Sequence, residues 1–317
     1  MNTLSVVIPS YKRAAVLLET IEQLRQQSRA PKQLIVVDQT DYAAGDPNFR
    51  ALLSLQKRGQ IKFIQRKTPS IPAAMNAGLL NADCEFVLFL DDDIRISRDF
   101  IAAHLEVLKT HECAAQVGQV LQPDQLPTSL QESNPDASGL GQDLAFPFNA
   151  SYEAQIYNCM AGNLCVNRES AVAAGGFDEN FIGAAYRFET EFCRRLIRFT
   201  GKPVHFTPLA SIDHLQFSSG GTRSTGNYLT SRSPSHSAGD YYYALLEGQG
   251  IDRWRHIGAR LLRSTAARFY LRRPWYIPNR LIAEVRGLKQ AVGLYHTGPS
   301  RIKIKPQTSL PADGEGE

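Results

Sequence analysis

The sequence predicts an α/β fold built on a doubly wound open sheet, and three observations carry that expectation. Short β-branched runs alternate with amphipathic helical runs through roughly the first ninety residues. Glu85–Leu90 is almost continuously apolar, as a strand covered on both faces has to be. Polar residues gather directly after the strand-like runs, where an open α/β sheet binds its ligands.

Leu4–Pro9 is a β-branched apolar run and reads as the first strand. In Ala15–Gln27, Val16, Leu17, Ile21 and Leu24 recur at helical spacing and give one apolar face. Gln33–Val37 then reads as strand, Phe49–Gln56 as helix, Ile61–Ile64 as strand and Ile71–Asn81 as helix, with Ser70 as N-cap. Gln122–Tyr157 is rich in Pro, Ser, Gly and Asn and reads as a long irregular segment, which in a compact domain is usually functional. Asn163–Val166 reads as strand, Arg168–Ala174 as a short helix and Glu189–Phe199 as a stronger one. Ser218–Ser237 is Gly/Ser-rich, with Gly220-Gly221 as the hinge of a closing loop. Residues 250–294 form two basic helical patterns separated by Pro274 and Pro278.

The chain has 317 residues, 43% of them hydrophobic and 21% charged, which excludes disorder over most of its length. The net charge of +4 is unevenly placed. Residues 251–305 carry thirteen Lys or Arg against Asp252 and Glu284, which leaves the first 250 residues acidic. An acidic body with a basic extension indicates different partners for the two parts, and no nucleic-acid partner is expected. Five scattered cysteines without a CxxC pair read as free thiols in a reducing compartment. The N-terminal MNTLSVVIPSYK enters a strand-like run without a charged or long apolar leader, and the longest apolar run near the middle is Phe86–Leu90. A cytoplasmic chain with no transmembrane helix is expected.

Asp91-Asp92-Asp93 ends the buried strand, where adjacent like charges need a cation or strong donors to neutralise them. Carboxylate oxygens at DxD spacing suit Mg²⁺ or Mn²⁺; an acidic turn capping the next helix is the alternative. There is no GxGxxG after the first strand and no GxxxxGK[ST], so neither a dinucleotide fold nor a P-loop is supported.

Seven segments, SVVIPSYKR, VVDQTD, PAAMNAG, FLDDDI, AGNLCVNRESAVAAGGFDENF, FETEFCRRL and HLQFSSGGTR, fall in one order over roughly residues 3–225. In them the chain resembles the family 2 glycosyltransferases of GT-A fold. The resemblance implies a single Rossmann-like mixed sheet, a nucleotide-diphosphate-sugar donor, Mn²⁺ or Mg²⁺ at its phosphates, and inverting transfer to a hydroxyl acceptor. On it, residues 1–225 are the catalytic domain, 226–249 a flexible linker, 250–305 a basic amphipathic helical extension and 306–317 a frayed tail.

By motif, Pro9, Ser10 and Tyr11 would line the nucleoside pocket with Asp38 beside the base. Asp91 and Asp93 would hold the metal with Asp92 between them, and His214 would be a third ligand or a surface histidine. Glu189 aligns best with the family's catalytic acid, though the family more often has Asp there and an acid where this chain has Phe188. Glu191 is therefore a second candidate base, and both acids also suit the first turn of a helix. Arg223 and Arg66 are placed to contact phosphate or base, and Asn76 either shapes the donor pocket or packs beneath it. Lys12 and Arg13 read as solvated residues at a helix start.

Arginines interleaved with Trp254, Phe269, Tyr270, Trp275 and Tyr276 fit a segment lying on an anionic membrane surface, where lipid-linked saccharide acceptors are presented. Helices packed back on the body are the alternative. The function expected is surface polysaccharide or lipid-linked saccharide synthesis, peripheral on the inner face of the plasma membrane. A nucleotidyltransferase and a noncatalytic nucleotide-sugar-binding scaffold are the competing readings.

Overall fold

Alternate residues of the central strands enter two separate cores, which is why those strands read as continuously apolar. The computed structural model describes residues 3–130, 139–217, 219–221 and 229–303. Among them, β1 (Leu4–Ser10), β2 (Gln33–Asp38), β3 (Lys62–Gln65), β4 (Phe86–Leu90), β5 (Ile94–Ile96), β6 (Ala115–Leu121), β7 (Ala154–Ile156), β8 (Asn163–Asn167) and β9 (Val204–His214) form one sheet. Its order is β3-β2-β1-β4-β8-β6-β9-β5, with β7 also paired to β9. β1 to β4 are mutually parallel, and β8 runs antiparallel to both β4 and β6. The mixed sheet is thus the one expected.

Val6, Ile8, Val36, Leu88 and Leu90 face one core, which α1 (Ala14–Arg25), α2 (Pro47–Lys57) and α4 (Phe100–Thr110) close. Val7, Ile35, Val37, Val87 and Phe89 face the other, beneath α3 (Ile71–Asn81), α5 (Arg168–Ala173) and α6 (Phe188–Thr200). Ser70 caps α3 by accepting from Ala73 N, as its sequence predicts. Pro9 is tolerated in a strand flanked on both sides because pairing with β4 ends at Val7. On the buried face beside α4, His104 lies 2.9 Å from Asn163 Oδ1, and Asn163 Nδ2 donates to Ala210 O at 2.9 Å. That chain ties α4 and β8 to β9 and so fixes the strand that ends at His214.

The irregular stretch Gln122–Tyr157 contains only a short 3₁₀ turn at Gly139–Gly141 and β7 among its described residues. The linker expected over 226–249 is different: it holds α7 (Ala238–Glu247), a buried helix. Its three consecutive tyrosines have no helical period in the sequence, yet all three are buried. Each hydroxyl finds a partner, Tyr241 on Glu284, Tyr242 on Asp178 and Tyr243 on Leu140 O. A buried phenol with a satisfied hydroxyl contributes its whole ring area to the core, which outweighs the missing amphipathic pattern.

The extension comprises α8 (Gly250–Thr265), α9 (Arg268–Arg272) and α10 (Ile277–Thr297). α10 packs along α7, and Arg260 from α8 lies 2.8 Å from Asp240 and 3.4 Å from Glu284. Burial pushes Asp240 upward, but His256, Arg260 and Arg187 hold its carboxyl far below the usual range. The inner faces of these helices therefore belong to the body. Their outer faces remain apolar and basic, with Trp254 61% and Trp275 66% exposed beside Leu262 and Leu271. No helix among the described residues is long and apolar enough to cross a membrane. The tail expected over 306–317 lies outside the described residues.

Candidate functional site

The chain bends through Asp92 and Asp93 between β4 and β5, which leaves Asp91 and Asp93 beside His214 and Asp92 against Ser10. β5 then pairs Ile94 with His214, which brings the end of β9 beside the carboxylates. His214 Nε2 lies 3.2 Å from Asp93 Oδ1 and 3.8 Å from Asp91 Oδ2. Its Nδ1 lies 3.0 Å from Gln122 Oε1, which also accepts from Gln216. A carbonyl oxygen can only accept, so Nδ1 carries a proton, and a neutral His214 would turn an Nε2 lone pair toward two carboxylates. Lone pairs facing each other call for a proton or a cation. The contact with Asp93 raises the His214 pKa against the opposing effect of burial. Burial pushes Asp93 upward, but His214, the Phe217 N–H and Arg13 together hold it below its ordinary value.

Asp93 Oδ1 is buried and meets no hydrogen-bond donor in good geometry. Its Oδ2 is occupied, accepting from Phe217 N at 2.8 Å and facing Arg13 at 2.9 Å. Two carboxylates and one imidazole are donors of the kind Mg²⁺ or Mn²⁺ takes, but their ligand atoms do not all lie within 4.8 Å of one another, and the half-exposed Asp91 has to swing inward to complete the set.

Asp92 belongs to a different structure from its neighbours. It accepts from Ser10 Oγ at 2.6 Å and from Arg13 at 3.1 Å, and burial pushes its pKa up to about 7. Asp92 and the Ser10 hydroxyl thus brace β1 against the acidic turn and do not face a ligand. Arg13 is not the solvated residue its place in the sequence suggests. Its guanidinium spans Asp92 and Asp93 and donates to Phe217 O and Ser219 O. Gly221 N also donates to Tyr11 O at 2.8 Å. Phe217, Ser219 and Gly221 are in this way strapped to Tyr11–Arg13. A Cβ at Gly220 would stand 2.4 Å from Lys12 O, and its φ of +74° is one that glycine adopts readily.

The nucleoside-side residues divide. Pro9 and Tyr11 are half-buried at the end of β1, and Arg66 N donates to Asp38 O just past β3. Asp38 itself is buried and accepts from Thr40 N at 2.6 Å and Tyr42 at 2.7 Å, which shapes the loop after β2. Asn76 packs under the sheet edge, exchanging hydrogen bonds with the Phe177 backbone and donating to Glu179. The packing alternative describes it. Arg223 lies outside the described residues.

The two candidate bases separate cleanly. Glu191 is fully buried and faces Arg195 at 2.8 Å and Arg301 at 2.6 Å. Both its oxygens bind cations, so it fastens α6 to the chain's C-terminal segment and does not reach an acceptor. Ile302 N donates to Gly175 O, and Glu179 N donates to Ser300 O, completing that junction. Glu189, two residues earlier, is half-buried in the first turn of α6. Its backbone carbonyl accepts from Cys159, and Thr190 donates to Asn158. The loop bearing Asn158 and Cys159 continues to Gly162, whose carbonyl accepts from Asp91 N. One short loop therefore borders both the Glu189 turn and the carboxylates.

The glycosyl transferase family 2 model matches residues 5–164, and the chain belongs to that family. A Bacillus subtilis protein named as a putative teichuronic acid biosynthesis glycosyltransferase, TuaG, is 22% identical over 162 residues, 51% of this chain and 60% of its own. A Rickettsia felis protein named as a glycosyltransferase is 29% identical over 106 residues, 33% of this chain. The chain spans 17% of that relative's length. Among solved structures, S. aureus TarS 1-349 in complex with UDP-GlcNAc superposes with a TM-score of 0.54 at 14% identity, covering 93% of this chain and 92% of that one. The mannosyltransferase PcManGT from Pyrobaculum calidifontis, in complex with GDP-Man and Mn²⁺, gives 0.52 at 18% identity, covering 93% and 79%. These neighbours share the GT-A fold, and at such identities the likeness is one of fold.

Proposed function

We propose that the chain transfers a sugar, with inversion, from a nucleotide-diphosphate sugar to a hydroxyl acceptor, using Mn²⁺ or Mg²⁺ held by Asp91, Asp93 and His214. The observation that carries this reading is His214 Nε2 standing 3.2 Å from the buried Asp93 Oδ1 and 3.8 Å from the half-exposed Asp91. A bound ion supplies positive charge against the diphosphate as the sugar–oxygen bond breaks. Tyr11, Pro9 and Arg66 border the nucleoside, and Arg13 keeps Asp92 neutralised and Phe217 and Ser219 over the site. Glu189 takes the proton from the acceptor hydroxyl on the face opposite the leaving diphosphate.

The acceptor proposed is a surface polysaccharide or a lipid-linked saccharide, in keeping with the TuaG relative's name. The exposed tryptophans and leucines of α8 to α10, among arginines, support docking on an anionic membrane surface, where such an acceptor is presented.

Binding of UDP-, GDP- and dTDP-sugars with Mn²⁺ and with chelator tests the reading, together with the released product. Metal-dependent binding that Asp93→Asn weakens, with free nucleoside diphosphate as product, is expected. Pyrophosphate as product would instead make the chain a nucleotidyltransferase, and equal binding in wild type and Asp93→Asn would remove the metal assignment.

A further inference from the structure

His111, Glu153 and His205 converge at the far edge of the sheet, where α4 ends and β7 pairs with β9. One ligand atom from each lies within 4.8 Å of the others. His205, on β9, is only 6% exposed, and its Nε2 is buried without a hydrogen-bond partner. That nitrogen points toward Glu153 Oε1 at 3.8 Å, too far for a hydrogen bond. A buried imidazole nitrogen left in this state loses the stabilisation that water would give it. The His111 ring stacks on it with centroids 4.0 Å apart.

The neighbours set both exposed ligands. Thr110 Oγ1 lies 3.1 Å from Val107 O and 2.9 Å from His111 Nδ1. With its proton on the carbonyl, the hydroxyl accepts from Nδ1–H, which leaves His111 Nε2 as a lone pair. Thr207 Oγ1 donates to Glu153 Oε1 at 3.3 Å.

We infer that His111, Glu153 and His205 form a binding site for a late first-row divalent ion of the zinc class. Two imidazole nitrogens and one carboxylate oxygen, with a water completing the tetrahedron, suit that class better than Mg²⁺ or Ca²⁺. Ligand atoms around such an ion stand roughly 3.4 Å apart, given metal–ligand bonds of about 2.1 Å. The exposed His111 and Glu153 side chains close the remaining gap, His111 leaving the stack, while the buried His205 stays fixed. The ion clips the end of α4 and the entry to β7 onto β9. This site is separate from Asp91 and Asp93 and does not depend on the sugar-transfer reading.

The test is titration of the tag-free full chain, stripped with chelator, with Co²⁺ followed by its visible absorption, and then displacement by Zn²⁺. One Co²⁺ with tetrahedral d–d bands is expected in the wild type and in Asp93→Asn. His111→Ala should abolish the bands, and Glu153→Gln should weaken binding by about tenfold or more. Both changes lie at exposed positions, so the fold survives them, and Zn²⁺ should raise the melting temperature of the wild type but not of His111→Ala. Absence of bands in the wild type, bands that persist in His111→Ala, or bands that vanish in Asp93→Asn would each overturn the site.

Discussion

Gly162 tests the position of Asp91 without touching Asp91. A Cβ there would stand 2.2 Å from Asp91 Oδ2 and 2.7 Å from its Cγ, where ordinary contact begins at 3.4 Å. The atoms in the way are the end of a half-exposed side chain, so the carboxylate has to retreat by about 1.2 Å while the backbone stays. Gly162 has no positive φ, and alanine there adds no backbone strain. Gly162→Ala is therefore expected to change unfolding free energy by less than about 1 kcal/mol. A misplacement of that size costs on the order of a hundredfold in turnover. The assays are Mn²⁺-dependent binding of the nucleotide sugar, release of nucleoside diphosphate, and the urea midpoint. Full turnover in Gly162→Ala would refute the requirement for Asp91 at its observed place. A stability loss of several kcal/mol would show that the backbone, not the carboxylate, gives way.

The two acids of α6 should separate by assay. Glu189→Gln is expected to abolish turnover while leaving donor binding and melting temperature unchanged, whereas Glu191→Gln should cost about 3 kcal/mol of stability by stranding Arg195 and Arg301. A stable Glu191→Gln with lost turnover would reverse the roles. Asp240 has a folded pKa far below its unfolded value of ~3.9, so its contribution is full above that value and is lost progressively as pH falls from there toward the folded pKa. Asp240→Asn should therefore be less stable at neutral pH and show a shallower loss on acidification, measured by urea unfolding between pH 3 and pH 7. Trp254→Ser with Trp275→Ser should release the protein from anionic vesicles in a sedimentation assay; equal sedimentation of the double variant would remove those faces from the membrane reading.

The elements that sequence reading recovers are those whose signal is local. β1, β2 and β4 announce themselves by β-branched runs, and α3 by Ser70, because cap and helix are neighbours in the chain. The DxD turn is legible for the same reason, since three acids fall together at the end of a buried strand, whereas the turning of Asp92 away from its neighbours comes from a bend that the sequence does not announce. Arg13 is missed because what makes it a brace lies far away: Asp92 is 79 residues on and Phe217 is 204. A basic residue after a strand looks solvated until the fold brings carboxylates beneath it. Glu191 is misread similarly, its second arginine being 110 residues downstream. α7 escapes because Tyr241–Tyr243 are buried all around and carry no period, and their cover comes from distant places, Glu284 of α10 and the loops at Asp178 and Leu140. Deletion from residue 251 would take Arg260 and Glu284 from that buried network, so the extension cannot be removed as if it were an appendage.

The junction at Arg301 also gives the molecule an order of assembly. At a synthesis rate of about 5–20 residues per second, Arg301 follows Glu191 out of the ribosome by roughly 6–20 s. Through that interval α6 carries a buried acid with only Arg195 to answer it, and the turn bearing Glu189 lacks its final anchor. The junction that seats the turn of the proposed base is thus among the last parts of the fold to close.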